Sequence, residues 1–195
     1  ELSVLVVGLG NREITPDALG PRVADNMMIT RHVIREFGKY ALGAEHSNLI
    51  SSIVPGVMAQ TGMESLEIIR GVIRETEPDC IVAVDALAAR SVKRLNRTIQ
   101  ITNTGINPGS GVGNHRHGLN RESVGIPVIA IGVPTVVDAA TIVNDAISGY
   151  YEEVDCTLNS FFVTPKDIDE SIKRLSFTIS EGLNLAFEKT VCTNS

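Results

Sequence analysis

Two aspartates stand where carboxylates can do chemistry. Asp17 lies in the run Thr15-Pro16-Asp17-Ala18-Leu19-Gly20-Pro21, shortly after Gly8-Leu9-Gly10-Asn11. Gly8 and Gly10 permit a tight turn with close backbone approach. Asp85 follows the apolar run Ile81-Val82-Ala83-Val84 and leads into Ala86-Leu87-Ala88-Ala89-Arg90-Ser91. Open α/β sheets build their sites just outside the carboxyl ends of their strands, which is where both residues are expected. Two close carboxylates do not readily both ionise, so one keeps a proton and the pair shares it. The ionised member can then activate water while the protonated member polarises a carbonyl. Each aspartate also has a plainer role. Asp17 can cap the helix near Pro21, and Asp85 can cap a loop or pair with Arg90.

Other groups compete for attention. The glycines after the first strand fall short of a dinucleotide fingerprint, because Glu13 stands where a third glycine is needed and the second strand ends in Pro55-Gly56 without an acidic residue. The loop from Asn107 to His117 holds three glycines and both His115 and His117. Its glycines suit a peptide backbone or an anion. Its histidines are candidate metal ligands, although two histidines at i, i+2 in a loop also suit plain solvent exposure. Asp138, in Val136-Val137-Asp138, suits the first turn of a helix or the wall of a cleft. Asn11 and Thr15, beside Asp17, join Asp138 and His115 as candidate supports of the cleft. Ser110 and Ser123 have no credible His/Asp arrangement, which argues against a serine triad.

Four buried strands are expected to carry these groups: Ser3–Val7, Leu49–Val54, Cys80–Val84 and Ile126–Val133. They are rich in Val and Ile without clean alternation, the pattern of strands covered on both faces. Helical periodicity predicts helices over Pro21–Phe37, Met63–Thr76 and Thr135–Tyr150. The alternation of strand and helix predicts an α/β fold with a mainly parallel central sheet flanked by helices on both faces. Arg97–Thr102 reads as an edge or antiparallel strand. The last helix is expected to begin at Thr164-Pro165-Lys166-Asp167, capped by Thr164, and to run to about Lys189. Tyr151–Phe162 reads as a linker or a chain discontinuity.

The 195 residues fit one domain, and 43% hydrophobic content suffices for a core. There is no apolar run of the ~18 residues that a membrane span needs. A net charge of −6 speaks against direct contact with a nucleic-acid backbone and fits a basic or neutral peptide better. Cys80, Cys156 and Cys192 are odd in number and widely spaced, as in a reducing compartment. Cys80 is expected to be core. The chain starts at Glu1-Leu2 and runs straight into a strand, so an upstream segment is expected to be missing.

The strings GLGN, TPDALGPRV, PGVMAQTG, VDALAARS, INPGSGVGN, GIPVIAIGVPTVVDA and VTPKDID closely resemble the germination (spore) proteases of spore-forming Firmicutes, through nearly the whole chain. The resemblance implies an endopeptidase of atypical aspartic type that degrades small acid-soluble spore proteins during spore germination. Its two essential aspartates match Asp17 and Asp85. It further implies a zymogen that cleaves itself near its N-terminus, a homotetramer, a cytoplasmic place in the spore core, and no metal or other cofactor. No membrane and no nucleic acid enter as partners. A more distant likeness is to hydrogenase-maturation endopeptidases, which place a Glu at Asp17, keep an Asp at Asp85 and bind nickel with a further His. That likeness implies the same phosphorylase/hydrolase-like fold and a metal-dependent alternative. Two departures stand out: the family's N-terminal self-cleavage portion is absent here, and its longer connection before VTPKDID shrinks to Tyr151–Phe162.

Overall fold

Alternating apolar residues of the strands point to opposite faces of one sheet, and each face has its own helices. The computed structural model describes residues 2–42, 48–109, 117–147 and 156–188. Its strands are β1 (Ser3–Gly8), β2 (Leu49–Ile53), β3 (Cys80–Ala89), β4 (Gln100–Thr102), β5 (Val128–Asp138) and β6 (Phe162–Val163). The order across the sheet is β2-β1-β3-β5-β4, with β6 also pairing to β5. The pairs β1–β2, β1–β3 and β3–β5 are parallel, whereas β4 and β6 run antiparallel to β5. The mainly parallel sheet expected from the sequence is the one formed.

The helices are α1 (Leu19–Asn26), α2 (Arg31–Phe37), α3 (Met58–Thr61), α4 (Ser65–Thr76), α5 (Arg121–Val124), α6 (Ala139–Ile147) and α7 (Ile168–Phe187). On one face Val4, Val6, Val82, Val84, Ile131 and Val133 pack with Leu19 and Val23 of α1 and with Ile168, Ile172 and Ile179 of α7. On the other, Leu5, Val7, Ile81, Ala83 and Val128 pack with Leu66 and Ile69 of α4. Covering both faces is what a parallel sheet requires. Cys80 lies beside the first of these cores, half-buried, and burial together with the nearby Asp79 pushes its thiol above the usual range. It therefore stays a protonated, unreactive thiol.

Several boundaries differ from expectation, each for a physical reason. The helix predicted over Pro21–Phe37 breaks at Met27, whose backbone is extended. Asn184 of α7 holds the break. Its side chain accepts from the Met28 N–H at 2.9 Å and donates to the Asn26 carbonyl at 3.2 Å. The helix predicted from Met63 begins at Ser65, preceded by the separate short α3. Thr164 does not cap α7; its hydroxyl donates to the Thr135 carbonyl at 2.9 Å, and the helix begins only at Ile168. Phe162, read as linker, pairs with Asp138 as part of β6. Of the remaining linker, residues 151–155 lie outside the described residues.

The difference that matters most concerns β3 and β5. Both were expected to stop near Val84 and Val133, but they continue together to Ala89 and Asp138. Pro134 has no N–H to give to a ladder. The register absorbs it: Leu87 pairs with Pro134, Ala88 pairs with Val136, and Thr135 is passed over as a bulge. β1 ends at Gly8, opposite Val84. Beyond that point β3 runs on as an arm whose strand partner among the described residues is β5 alone, and Asp85 is its first residue.

Candidate active site

The end of β1 and the start of α1 must come very close for Asp17 to reach this arm. Two glycines allow it. A Cβ on Gly20 would lie 2.6 Å from the Leu9 nitrogen and closer still to the carbonyl oxygens of Leu9 and Val84. Gly10 has φ +113°, a left-handed conformation, and a Cβ there would run into the Asp17 carbonyl. The turn between them is tied by side chains. The Asn11 N–H donates to Asp17 Oδ2 at 2.7 Å. Asn11 Oδ1 accepts from the Glu13 N–H at 3.0 Å and from Gln60 Nε2 at 3.2 Å. The Asp17 N–H donates to the Ile14 carbonyl at 2.8 Å, within the short 3-10 turn Thr15–Asp17.

Asp85 is 3% exposed and Asp17 is half-buried. Asp85 Oδ1 accepts the Ala86 N–H at 2.9 Å. The two aspartates, one from the β1–α1 turn and one from β3, line the same cavity of about 420 Å³. Its wall is mostly apolar, with Ile14, Val57, Leu87, Val136 and Phe162 around the carboxylates. A largely apolar pocket with a few convergent polar groups is the usual form of a small binding or reaction site.

The bulged Thr135 lines this cavity as well and is 1% exposed. Its hydroxyl donates to the Pro16 carbonyl at 2.6 Å, so β5 holds the residue next to Asp17 in place. Bulges commonly re-aim a side chain beside a site. Thr135→Val removes this donor at nearly constant volume and takes the hydroxyl partner from the part-buried Pro16 carbonyl, at an expected cost of about 1–2 kcal/mol. Urea unfolding of Thr135→Val against Thr135→Ser measures it, with the serine variant staying close to the parent.

The remaining candidates are placed as follows. Asn11 lines the cavity, whereas Thr15 is half-buried in the 3-10 turn and is not part of the lining. Asp138 caps α6, accepting from the Thr141 N–H at 2.7 Å and the Thr141 hydroxyl at 2.8 Å. It faces a neighbouring cavity with Arg90 and Arg94. An antiparallel bridge between Ile106 and Leu119 closes the base of the glycine-rich loop, and Pro108 and Gly109 reach the cavity wall. His115 lies outside the described residues. His117 is exposed and bonds through Nδ1 to Glu64 Oε2 at 2.8 Å. Among the described residues no group of three or more His, Cys, Asp or Glu is gathered as a metal would need.

Several wall residues went unnoticed in the sequence. Gly56, Val57 and Ala59 follow β2, in the PGVMAQTG string whose strand-ending Pro-Gly was the available signal. Phe162 and Thr164 gave no signal, because what brings them in is pairing with β5.

Fold and site together define an α/β protein with its crevice at the carboxyl ends of parallel strands and two carboxylates inside it. Residues 1–154 match the family model described as germination protease, and the chain belongs to that family. It is 45% identical to the germination protease of Caldanaerobacter subterraneus subsp. tengcongensis, over 95% of this chain and 66% of that protein. Against the germination protease of Bacillus velezensis it is 56% identical over 75% of this chain and 39% of that one. The chain thus spans just under two thirds of the first relative's length and less of the second. Among solved structures it is similar to a nickel–iron hydrogenase maturation protease from Thermococcus kodakarensis. That likeness is 19% identity with a TM-score of 0.45, covering 92% of this chain and 91% of that one. No helix among the described residues is long and apolar enough to cross a membrane.

Proposed function

We propose that this chain carries the catalytic site of an endopeptidase that cuts small acid-soluble spore proteins during germination, with Asp17 and Asp85 as an aspartic-type pair. The observation that carries this reading is that both aspartates line one cavity at the strand ends. Membership of the germination protease family supports it.

In the proposed reaction the ionised carboxylate takes a proton from water, and the resulting oxygen adds to the peptide carbonyl. The protonated carboxyl donates to the carbonyl oxygen as charge builds there. The tetrahedral adduct collapses with transfer of a proton to the leaving amine. Asn11 and Thr135 act as positioning residues, Asn11 through its N–H on Asp17 and Thr135 through the Pro16 carbonyl. The apolar wall keeps other water away from the carboxylates. Zymogen processing, a homotetramer and a place in the spore core belong to the same proposal and rest on family membership alone.

The test is incubation with a purified small acid-soluble spore protein, with fragments mapped by mass spectrometry before and after exhaustive chelation. Internal cleavage that survives chelation is the expected result. An intact substrate would contradict the endopeptidase reading, and activity lost to chelation and restored by a divalent ion would contradict the metal-free pair.

A further inference from the structure

The extended end of β3 leaves an open strand edge inside the cavity. β1 pairs with β3 only as far as Val84, and the last link on that side is the Leu9 N–H donating to the Val84 carbonyl at 2.8 Å. From Asp85 to Ala89, β3 is paired as a strand to β5 alone. Main-chain groups alternate sides along a strand, so those of Ala86 and Ala88 face the way the Val84 carbonyl does, away from β5. The Ala86 N–H is taken by Asp85 Oδ1. Among the described residues, no strand pairs with the Ala86 carbonyl or with either main-chain group of Ala88 on that side. All three residues Ala86, Leu87 and Ala88 line the cavity that holds Asp17 and Asp85.

We propose that the substrate binds here as an extended peptide, adding one strand to the free edge of β3 alongside Ala86–Ala88. The proposal rests on the peptidase reading above and says how that site takes its substrate. Three observations favour a peptide strand over another occupant. The edge starts at a carboxylate that the reaction would use, it runs along the wall of the reaction cavity, and the residues whose main chain faces that side, Ala86 and Ala88, carry small side chains that leave room for an approaching backbone. Strand addition draws affinity from main-chain hydrogen bonds and leaves alternate side chains to meet the walls. Val57, Ala59, Val136 and Phe162 are among the residues of those walls. The site therefore selects segments that are free to become extended.

The experiment uses a decapeptide spanning a cleavage site mapped in the spore-protein assay. Its backbone amides are N-methylated one at a time, and kcat/KM is measured with the parent enzyme. An alternating pattern is expected, with loss of about 100-fold at every second amide near the cut and less than about 3-fold between. As a second arm, Ala88→Pro removes the one free-edge donor without touching the ladder to β5. It is expected to raise KM at least tenfold with kcat within about threefold. Loss that follows distance from the cut with no alternation, together with an unchanged KM in Ala88→Pro, would overturn strand addition and leave the aspartate pair standing. If the parent enzyme does not cut the unmethylated peptide or the spore protein, both readings fall together.

Discussion

Asp85→Asn is expected to fold normally and to lose peptide cleavage by about a thousandfold or more. The substitution replaces a carboxyl that can exchange protons with an amide and changes almost nothing else. Asparagine can keep its Oδ1 on the Ala86 N–H, and the side chain stays the same size in a site that is 3% exposed. Replacing a buried carboxyl by an amide of the same shape need not cost stability, so the unfolding free energy should stay within about 1 kcal/mol of the parent or rise. Chemistry is lost because an amide can neither take a proton from water nor donate an acidic one. Asp17→Asn should behave alike, with the Asn11 N–H still accepted by the side-chain oxygen. Because the two act as one unit, the double variant should be little worse than either single one. The check is kcat/KM on the spore protein, beside circular dichroism and urea unfolding. Full activity in either variant would remove that residue from the mechanism.

The second large effect concerns a glycine. Gly20→Ala is expected to destabilise by about 2–4 kcal/mol, with loss of activity. Helix propensity alone argues the other way, since alanine is favoured over glycine inside a helix by about 1 kcal/mol. Contact geometry decides. An added methyl at Gly20 meets backbone atoms of Leu9 and Val84, which cannot swing aside as a flexible side chain would. Relief requires α1 to move away from the ends of β1 and β3, and Asp17 would move with it. Gly71 and Gly182 are the internal controls. Both lie in helices with nothing within 4 Å of an added Cβ, so alanine there should stabilise by about 0.5–1 kcal/mol. Urea denaturation of the three variants reads both signs in one experiment.

Much of this architecture is legible in the residues. The Val- and Ile-rich runs around Val4, Ile50, Val82 and Ile131 reveal a sheet covered on both faces, because burial on both sides removes the need for polar alternation. Asp85 is legible as a charged residue directly after the apolar run Ile81–Val84, and Asp17 as an acid shortly after the glycines that close the first strand. Less visible is anything set by a distant partner. The break at Met27 depends on Asn184, and Thr164 leaves its capping role for the Thr135 carbonyl. The reach of β3 and β5 beyond Val84 and Val133 was hidden by Pro134, which reads as a strand end until a bulge accommodates it. That hidden extension moves Asp85 from a loop into a strand. A carboxylate fixed by a ladder on one side and open on the other is better placed than one on a flexible turn. The same bulge aims Thr135 at Pro16, a link across the chain that local pattern does not reveal.

The central claim is that Asp17 and Asp85 act together on one water. The most direct measurement is a crystal structure with a non-cleavable peptide that carries a tetrahedral hydroxyl in place of the scissile carbonyl. The account predicts that hydroxyl within hydrogen-bond reach of both carboxylates, about 2.6–3.2 Å from each, with the peptide backbone beside β3. A hydroxyl held by one carboxylate alone, or an ion bound between the two with nitrogen and oxygen ligands, would contradict it.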